Sequence, residues 1–156
     1  MDWGSGILER FAAICVDNQK MDWTQTRPAD LDSRWPGQLA GIDMGSNSFR
    51  LEIGQVIKGR YRRVDYLKET VRLGAGLDAQ GLLTEEATQR GLACLSRFAQ
   101  RLQGFSPQQV RAVATQTLRE ARNRDAFLAR AQQALGLTIE VISGREEARQ
   151  IGRAHV

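Results

Sequence analysis

Leu39-Ala40-Gly41-Ile42-Asp43-Met44-Gly45-Ser46-Asn47-Ser48-Phe49-Arg50-Leu51-Glu52-Ile53-Gly54-Gln55-Val56 is the stretch on which the fold turns. Residues 39–43 form a short apolar run ending in an acid, the pattern of a buried strand. Residues 49–56 alternate apolar and polar, as a half-buried strand does, because successive strand side chains point to opposite faces. Between them lies a small, polar loop. Lys58-Gly59 supplies a second turn, and residues 61–67 alternate again, with Tyr61, Val64 and Tyr66 as strand formers. Three antiparallel strands in a meander follow.

Downstream the period changes. Gly74-Ala75-Gly76 breaks the strand pattern. Thr84 then offers an N-cap, with Glu85 and Glu86 in the first helical turn, where acids complement the exposed amides. Ala87, Gly91, Leu92, Leu95, Phe98, Ala99 and Leu102 recur at helical spacing as far as Gln103, and Gly104 closes the helix. Residues 110–115 read as a fourth strand, 126–135 as a helix closed by Gly136, 137–142 as a fifth strand, and Glu146 onward as helical. The order β-β-β-α-β-α-β-α predicts an α/β fold, a mixed sheet with helices on both faces.

The bulk properties agree with one domain. The chain has 156 residues, an ordinary domain size. It is 42% hydrophobic and only 6% aromatic, so its core should be Leu, Ile, Val and Ala. The net charge is +4 and the pI is 9.6. Scattered arginines account for most of that charge, which suits either a polyanionic partner or a solvated basic surface. Cys15 and Cys94 lie far apart, without a CxxC partner, and read as reduced residues of a cytoplasmic protein. No apolar run approaches the roughly 20 residues that cross a bilayer, so no integral membrane segment is expected. Residues 1–20 lack the pattern of a secretory signal. Residues 1–37 hold all three tryptophans without periodicity. They read as a weakly ordered N-terminal extension, with Met21 as an alternative start and a docking arm as the competing reading.

Three constellations could carry chemistry. In Asp43-Met44-Gly45-Ser46-Asn47-Ser48, Gly45 permits close backbone approach and positive φ, the next three residues offer donors, and Asp43 could hold a metal ion or a water. An Asx-type turn is the plain alternative. In Ala114-Thr115-Gln116-Thr117-Leu118-Arg119-Glu120, a strand ends in threonines and feeds a short helix bearing Arg119. Helix amides and a forked guanidinium both suit phosphate oxygens, although a capped turn with a solvated arginine explains the same residues. In Ser143-Gly144-Arg145-Glu146-Glu147-Ala148-Arg149, Ser143 and Glu146 have capping-box spacing. Glu147 has no such task and is the freer candidate for a general base. All three fall at or just after C-terminal strand ends, or at the turn that follows, where open α/β sheets bind ligands.

These segments resemble the exopolyphosphatase / guanosine pentaphosphate phosphatase (Ppx/GppA) family. The matching residues run from Gly41-Ile42-Asp43-Met44-Gly45-Ser46-Asn47-Ser48-Phe49 through Ala114-Thr115-Gln116-Thr117-Leu118-Arg119-Glu120-Ala121 to Ser143-Gly144-Arg145-Glu146-Glu147-Ala148-Arg149. Gln103-Gly104-Phe105-Ser106-Pro107 resembles the family as well. The resemblance covers residues 39–149 and implies an actin-like ATPase (ribonuclease H-like) fold of two lobes with the active site between them. It implies hydrolysis of the terminal phosphate of inorganic polyphosphate, or of the 5′ γ-phosphate of guanosine pentaphosphate, with Mg²⁺. By the same resemblance Glu147 activates the water, Gly45, Ser46, Asn47, Ser48, Thr117 and Arg119 bind phosphate, and Asp43 is a metal candidate. The full-length protein is expected as a homodimer, with no specific nucleic acid partner and with peripheral membrane association as an option.

The family's second phosphate loop, of Asp-Ile-Gly-Gly-Gly-Ser-Thr-Glu type, is not found in these 156 residues. Residues 38–149 are therefore expected to be the first lobe, with little or no turnover on its own. Residues 150–156, Gln150-Ile151-Gly152-Arg153-Ala154-His155-Val156, match the translation of a common sequencing adaptor. They are expected to be an artefactual tail, so that His155 carries no chemistry. Two other classes compete: an actin-like-fold kinase or ATPase, and a non-catalytic polyanion-binding domain. The Ser-Asn-Ser first loop and the Glu146-Glu147 segment favour the phosphatase.

Overall fold

A computed structural model describes residues 37–142, apart from 59. The meander is β1 (Gln38–Met44), β2 (Ser48–Ile57) and β3 (Arg60–Thr70). It is followed by α1 (Glu85–Arg101), β4 (Val110–Ala114), α2 (Gln116–Glu120), α3 (Arg124–Leu135) and β5 (Ile139–Val141). Single 3₁₀ turns occupy Gly74–Gly76 and Pro107–Gln109. The sheet order is β3-β2-β1-β4-β5. The meander pairs are antiparallel, and β1-β4 and β4-β5 are parallel. This is the expected mixed sheet. Residues 1–36 of the expected 1–37 extension, the helix expected from Glu146 and the tail at 150–156 lie outside the described residues.

Strand alternation separates the two faces. Ile42, Met44, Phe49, Leu51, Ile53, Ala112 and Ala114 are buried in one cluster with Ala87, Cys94, Leu95 and Phe98 of α1 and Phe127, Ala131 and Leu135 of α3. Both long helices therefore share one face of the sheet, whereas helices on both faces were expected; the helix expected from Glu146 lies outside the described residues. Burying each Leu, Ile, Val or Phe side chain stabilises by roughly 1.5–3 kcal/mol, the largest favourable contribution available here. Gly91 of α1 faces the rings of Phe127 and Phe49, to which a Cβ would come within 3.4 and 3.5 Å. Phe49 and Phe127 thus supply aromatic packing that composition alone did not suggest. The helix ends follow the sequence signals. Thr84 Oγ1 accepts from the Ala87 amide at 3.2 Å, and Gly136 closes α3 at φ 77. Among the described residues, no helix is long and apolar enough to cross a membrane.

Cys94 lies in this core, and burial, helped by nearby Glu69, pushes its thiol up to about 12. It is an unreactive packing residue. Cys15 lies outside the described residues.

The opposite face of β2 and β3 holds a feature that alternation hides. The register shifts between Ile53 and Gly54, so that Ile53 faces Asp65 while Gly54 faces Arg63. Val64 is the extra residue, and it is exposed. This bulge explains why Tyr61, Val64 and Tyr66 do not follow a strict period of two. It brings the Tyr61 hydroxyl and Arg63 Nη2 onto Glu52, which is 1% exposed. Arg63 also stacks on the Tyr66 ring at 4.9 Å. Burial and the Glu52 carboxylate both push the Tyr61 phenol upward. The Tyr61 ring lies on Gly54, where a Cβ would come within 2.1 Å of it.

Two predictions follow from this packing. Gly54→Ala should destabilise the chain by about 1–3 kcal/mol in urea unfolding, because it displaces Tyr61 from a buried carboxylate. The second concerns acid. Arg130 and Gln89 hold the Glu85 carboxyl down to about 2, from an ordinary 4.5, and Arg97 holds Glu69 low. Depressed carboxyls stabilise fully above their unfolded value and lose that effect as pH falls through the folded one. Tm should therefore fall between about pH 4.5 and about pH 2. Arg130→Met should remove part of the slope. The effect should be modest and should shrink in high salt, because both pairs are exposed.

Candidate functional site

Sheet topology collects one set of ends at a single edge. β1 and β4 finish side by side, with Met44 level with Ala114, and Ala114 level with Val141 of β5. The start of β2 and the end of β3 meet them, with Ser48 opposite Thr70. The loops at residues 45–47, 71–77 and 115–116 therefore converge there. Of the expected site residues, Asp43, Gly45, Ser46, Asn47, Ser48, Thr117 and Arg119 are all at this edge. Glu147, with the rest of 143–149, lies outside the described residues.

The first loop is held mostly through its backbone. The Gly45 amide donates to Ser48 O at 3.0 Å. Asn47 O accepts from the Val71 and Arg72 amides at 2.9 and 2.8 Å, and Ser46 O accepts from the Gly74 amide at 2.8 Å. Ser46 and Asn47 stay exposed. Gly45 is not at positive φ, which corrects the expectation for it. Its missing side chain matters because a Cβ would stand 3.1 Å from Ser48 O.

Parallel pairing brings the second segment into contact with the first. Thr117 Oγ1 and Ser46 Oγ are 2.7 Å apart, with the Thr117 hydroxyl donating. The Thr115 amide and hydroxyl both point to Met44 O, at 3.3 and 3.4 Å. Arg119 Nη1 donates to Ile142 O at 2.9 Å, just beyond β5. Its guanidinium therefore ties β5 to α2 as well as standing at the edge. α2 has only five residues, too few peptide dipoles for the strong anion-attracting helix end that the sequence suggested.

Asp43 is 9% exposed and level with Arg50 of β2, which in turn faces Lys68 of β3. Alternation puts Asp43, Arg50 and Ser48 on one face, away from the helices. Ser48 is 6% exposed, and its buried hydroxyl has no partner among the described residues. Those residues contain no group of three or more His, Cys, Asp or Glu that could hold a metal ion. Asp43 can offer a metal one carboxylate, and that fits Mg²⁺, which is often held by one or two carboxylates with phosphate and water completing its shell.

Sequence reasoning passed over Arg50, the 71–74 segment and Gln109. Gln109 is fully buried. Its side chain donates to Gln38 O at 2.8 Å and accepts from the Ser106 amide at 2.8 Å, which locks the start of β1 to the entry of β4. The Ser106-Pro107-Gln108-Gln109 spacing of a capping box could have flagged the Gln109 bond to Ser106, but not its bond to Gln38. The break at Gly74 was the other signal, and it did not say what Gly74 would meet.

Known proteins resemble this chain in sequence and in fold. The chain is 48% identical over 129 residues to a guanosine-5′-triphosphate,3′-diphosphate pyrophosphatase of Pseudoalteromonas atlantica, covering 82% of this chain and 25% of that protein. Two solved structures overlay on it. One is the Ppx/GppA family member of Aquifex aeolicus, with a TM-score of 0.67 and 32% identity, covering 72% of this chain and 37% of that one. The other is an exopolyphosphatase from Cytophaga hutchinsonii, with a TM-score of 0.67 and 32% identity, covering 72% of this chain and 36% of that one. The chain thus spans a quarter to little more than a third of these relatives. Residues 53–156 match the model of the Ppx/GppA phosphatase family. An edge built from a Gly-Ser-Asn-Ser turn and a Thr-x-x-x-Arg segment, on a sheet of this order, accompanies that match, and the chain belongs to the Ppx/GppA phosphatase family.

Proposed function

We propose that this edge is the phosphate-gripping wall of an exopolyphosphatase, which hydrolyses the terminal phosphoanhydride of inorganic polyphosphate. The observation that carries the reading is the joined pair of loops. Ser46 and Thr117 are hydrogen-bonded across 71 residues of sequence, and the exposed Ser46 and Asn47 stand beside a buried, unpartnered Ser48 hydroxyl. A site that presents small donors on a fixed backbone suits phosphate oxygens. In this reading Gly45, Ser46, Asn47, Ser48, Thr117 and Arg119 hold the phosphates. Glu147 accepts the proton of a water whose oxygen attacks the terminal phosphorus, and the bridging oxygen leaves with its electron pair on the shortened chain. Mg²⁺, held in part by Asp43, would neutralise phosphate charge when bound.

A second reading is supported by the 48% identity to a guanosine-5′-triphosphate,3′-diphosphate pyrophosphatase. On it the same wall grips the 5′ phosphates of guanosine pentaphosphate. Phosphate release from each substrate by the full-length protein separates the two. Glu147→Ala in that protein should abolish release and leave binding near normal, the pattern of a group needed only in the transition state.

The lobe itself can be tested by calorimetric titration with tripolyphosphate. Arg119→Ala should weaken binding by about 10- to 100-fold, as the loss of a charged hydrogen-bond donor does. Thr117→Val should weaken it by about three- to tenfold, because Ser46 loses its partner. Unchanged affinities in both variants would sink the assignment. Equal affinity and salt slope for a nucleic acid of the same charge would point instead to a non-catalytic polyanion binder.

A further inference from the structure

Arg90 stands on the exposed side of α1 and reaches into the connection between β3 and α1. Its Nε donates to Val71 O at 3.0 Å and its Nη2 to Arg72 O at 3.3 Å, while Nη1 lies 3.6 Å from Glu86. The amides of the same two residues donate to Asn47 O. One guanidinium therefore grips both carbonyls of a dipeptide whose two amides grip the first loop. Two consecutive amides converging on one oxygen is not strand geometry, where successive amides point opposite ways. Here the turn depends on Arg72, at φ 54. A residue with a side chain keeps that left-handed backbone only where its surroundings hold it. The planar fork of Arg90 is one such restraint, and a lysine, with a single ammonium, cannot reproduce it.

We propose that Arg90 is a positioning residue for the phosphate loop. By fixing Val71 and Arg72 it fixes Asn47 O, and so aims Ser46 and Asn47 out from the sheet edge. The proposal rests on reading that loop as a phosphate site. A merely structural Arg90 would staple α1 to the sheet, and its loss would loosen both without singling out the loop.

Amide hydrogen exchange and tripolyphosphate titration on the 156-residue chain separate these roles. In Arg90→Met, the Val71 and Arg72 amides should exchange about tenfold faster while those of β1 and β4 keep their protection. The tripolyphosphate Kd should rise by about tenfold. Arg90→Lys keeps the charge, loses the fork, and should fall between, which preserves the test if Arg90→Met folds poorly. Unchanged exchange at Val71 and Arg72 overturns the proposal. So does faster exchange with unaltered affinity, and so does uniform loss of protection across the sheet. A wild-type chain that binds no tripolyphosphate defeats the phosphate-site reading instead. The exchange pattern then decides by itself whether Arg90 sets the loop.

Discussion

The parallel pairing of β1 with β4 places Met44 level with Ala114, and the arrangement of the functional edge depends on that register. The first loop leaves β1 one residue later, and the Thr117 and Arg119 segment leaves β4 directly. Slipping the pair by one residue would reverse which side chains face the helices. Either Ile42 and Met44 or Ala112 and Ala114 would leave the core for the other face. The hydrophobic burial that stabilises the domain and the contact between Ser46 and Thr117 are therefore set by one choice of register.

The edge is held by backbone more than by side chains. Four amide-to-carbonyl bonds and one hydroxyl pair secure residues 45–48. Each contributes only about 1 kcal/mol net, so together they roughly offset the ordering of a three-residue turn, which costs about 1–2 kcal/mol per residue. The Ser46, Asn47 and Ser48 carbonyls are satisfied internally, which holds the loop while the exposed Ser46 and Asn47 side chains remain to meet a ligand. A loop ordered before binding does not pay that entropy again when the ligand arrives.

Much of the fold was legible. A short apolar run located β1, period-two runs located β2 and β3, and Thr84 and Gly136 marked the start of α1 and the end of α3. These signals are local: a cap satisfies its own helix, and alternation reports one strand at a time. β5 proved shorter than its apolar run, since Leu137 and Thr138 complete the turn after Gly136 before pairing begins at Ile139. The bulge that puts Tyr61 on Gly54 and buries Glu52 was not legible, because it depends on which residues face each other across two strands. Of the six phosphate candidates that the sequence motifs named, Gly45, Ser46 and Asn47 lie in the first loop, Ser48 opens β2, and Thr117 and Arg119 stand on α2; only the sheet order joins these segments.

Sequence by itself determined the strands and the two long helices of the described residues, their order along the chain, and the family to which the chain belongs. Those properties are written in residue type and spacing, which need no partner. The tertiary structure decided that Gly45 serves through close approach and not through positive φ, that Arg119 is tied to Ile142, and that Arg90 on a distant helix reaches the strap around Asn47. The Arg119 and Arg90 contacts join residues well separated in the chain, and the Gly45 approach to Ser48 O is set where β1 and β2 pair. The energy of such a contact exists only once both backbones are in place, and no local propensity encodes it.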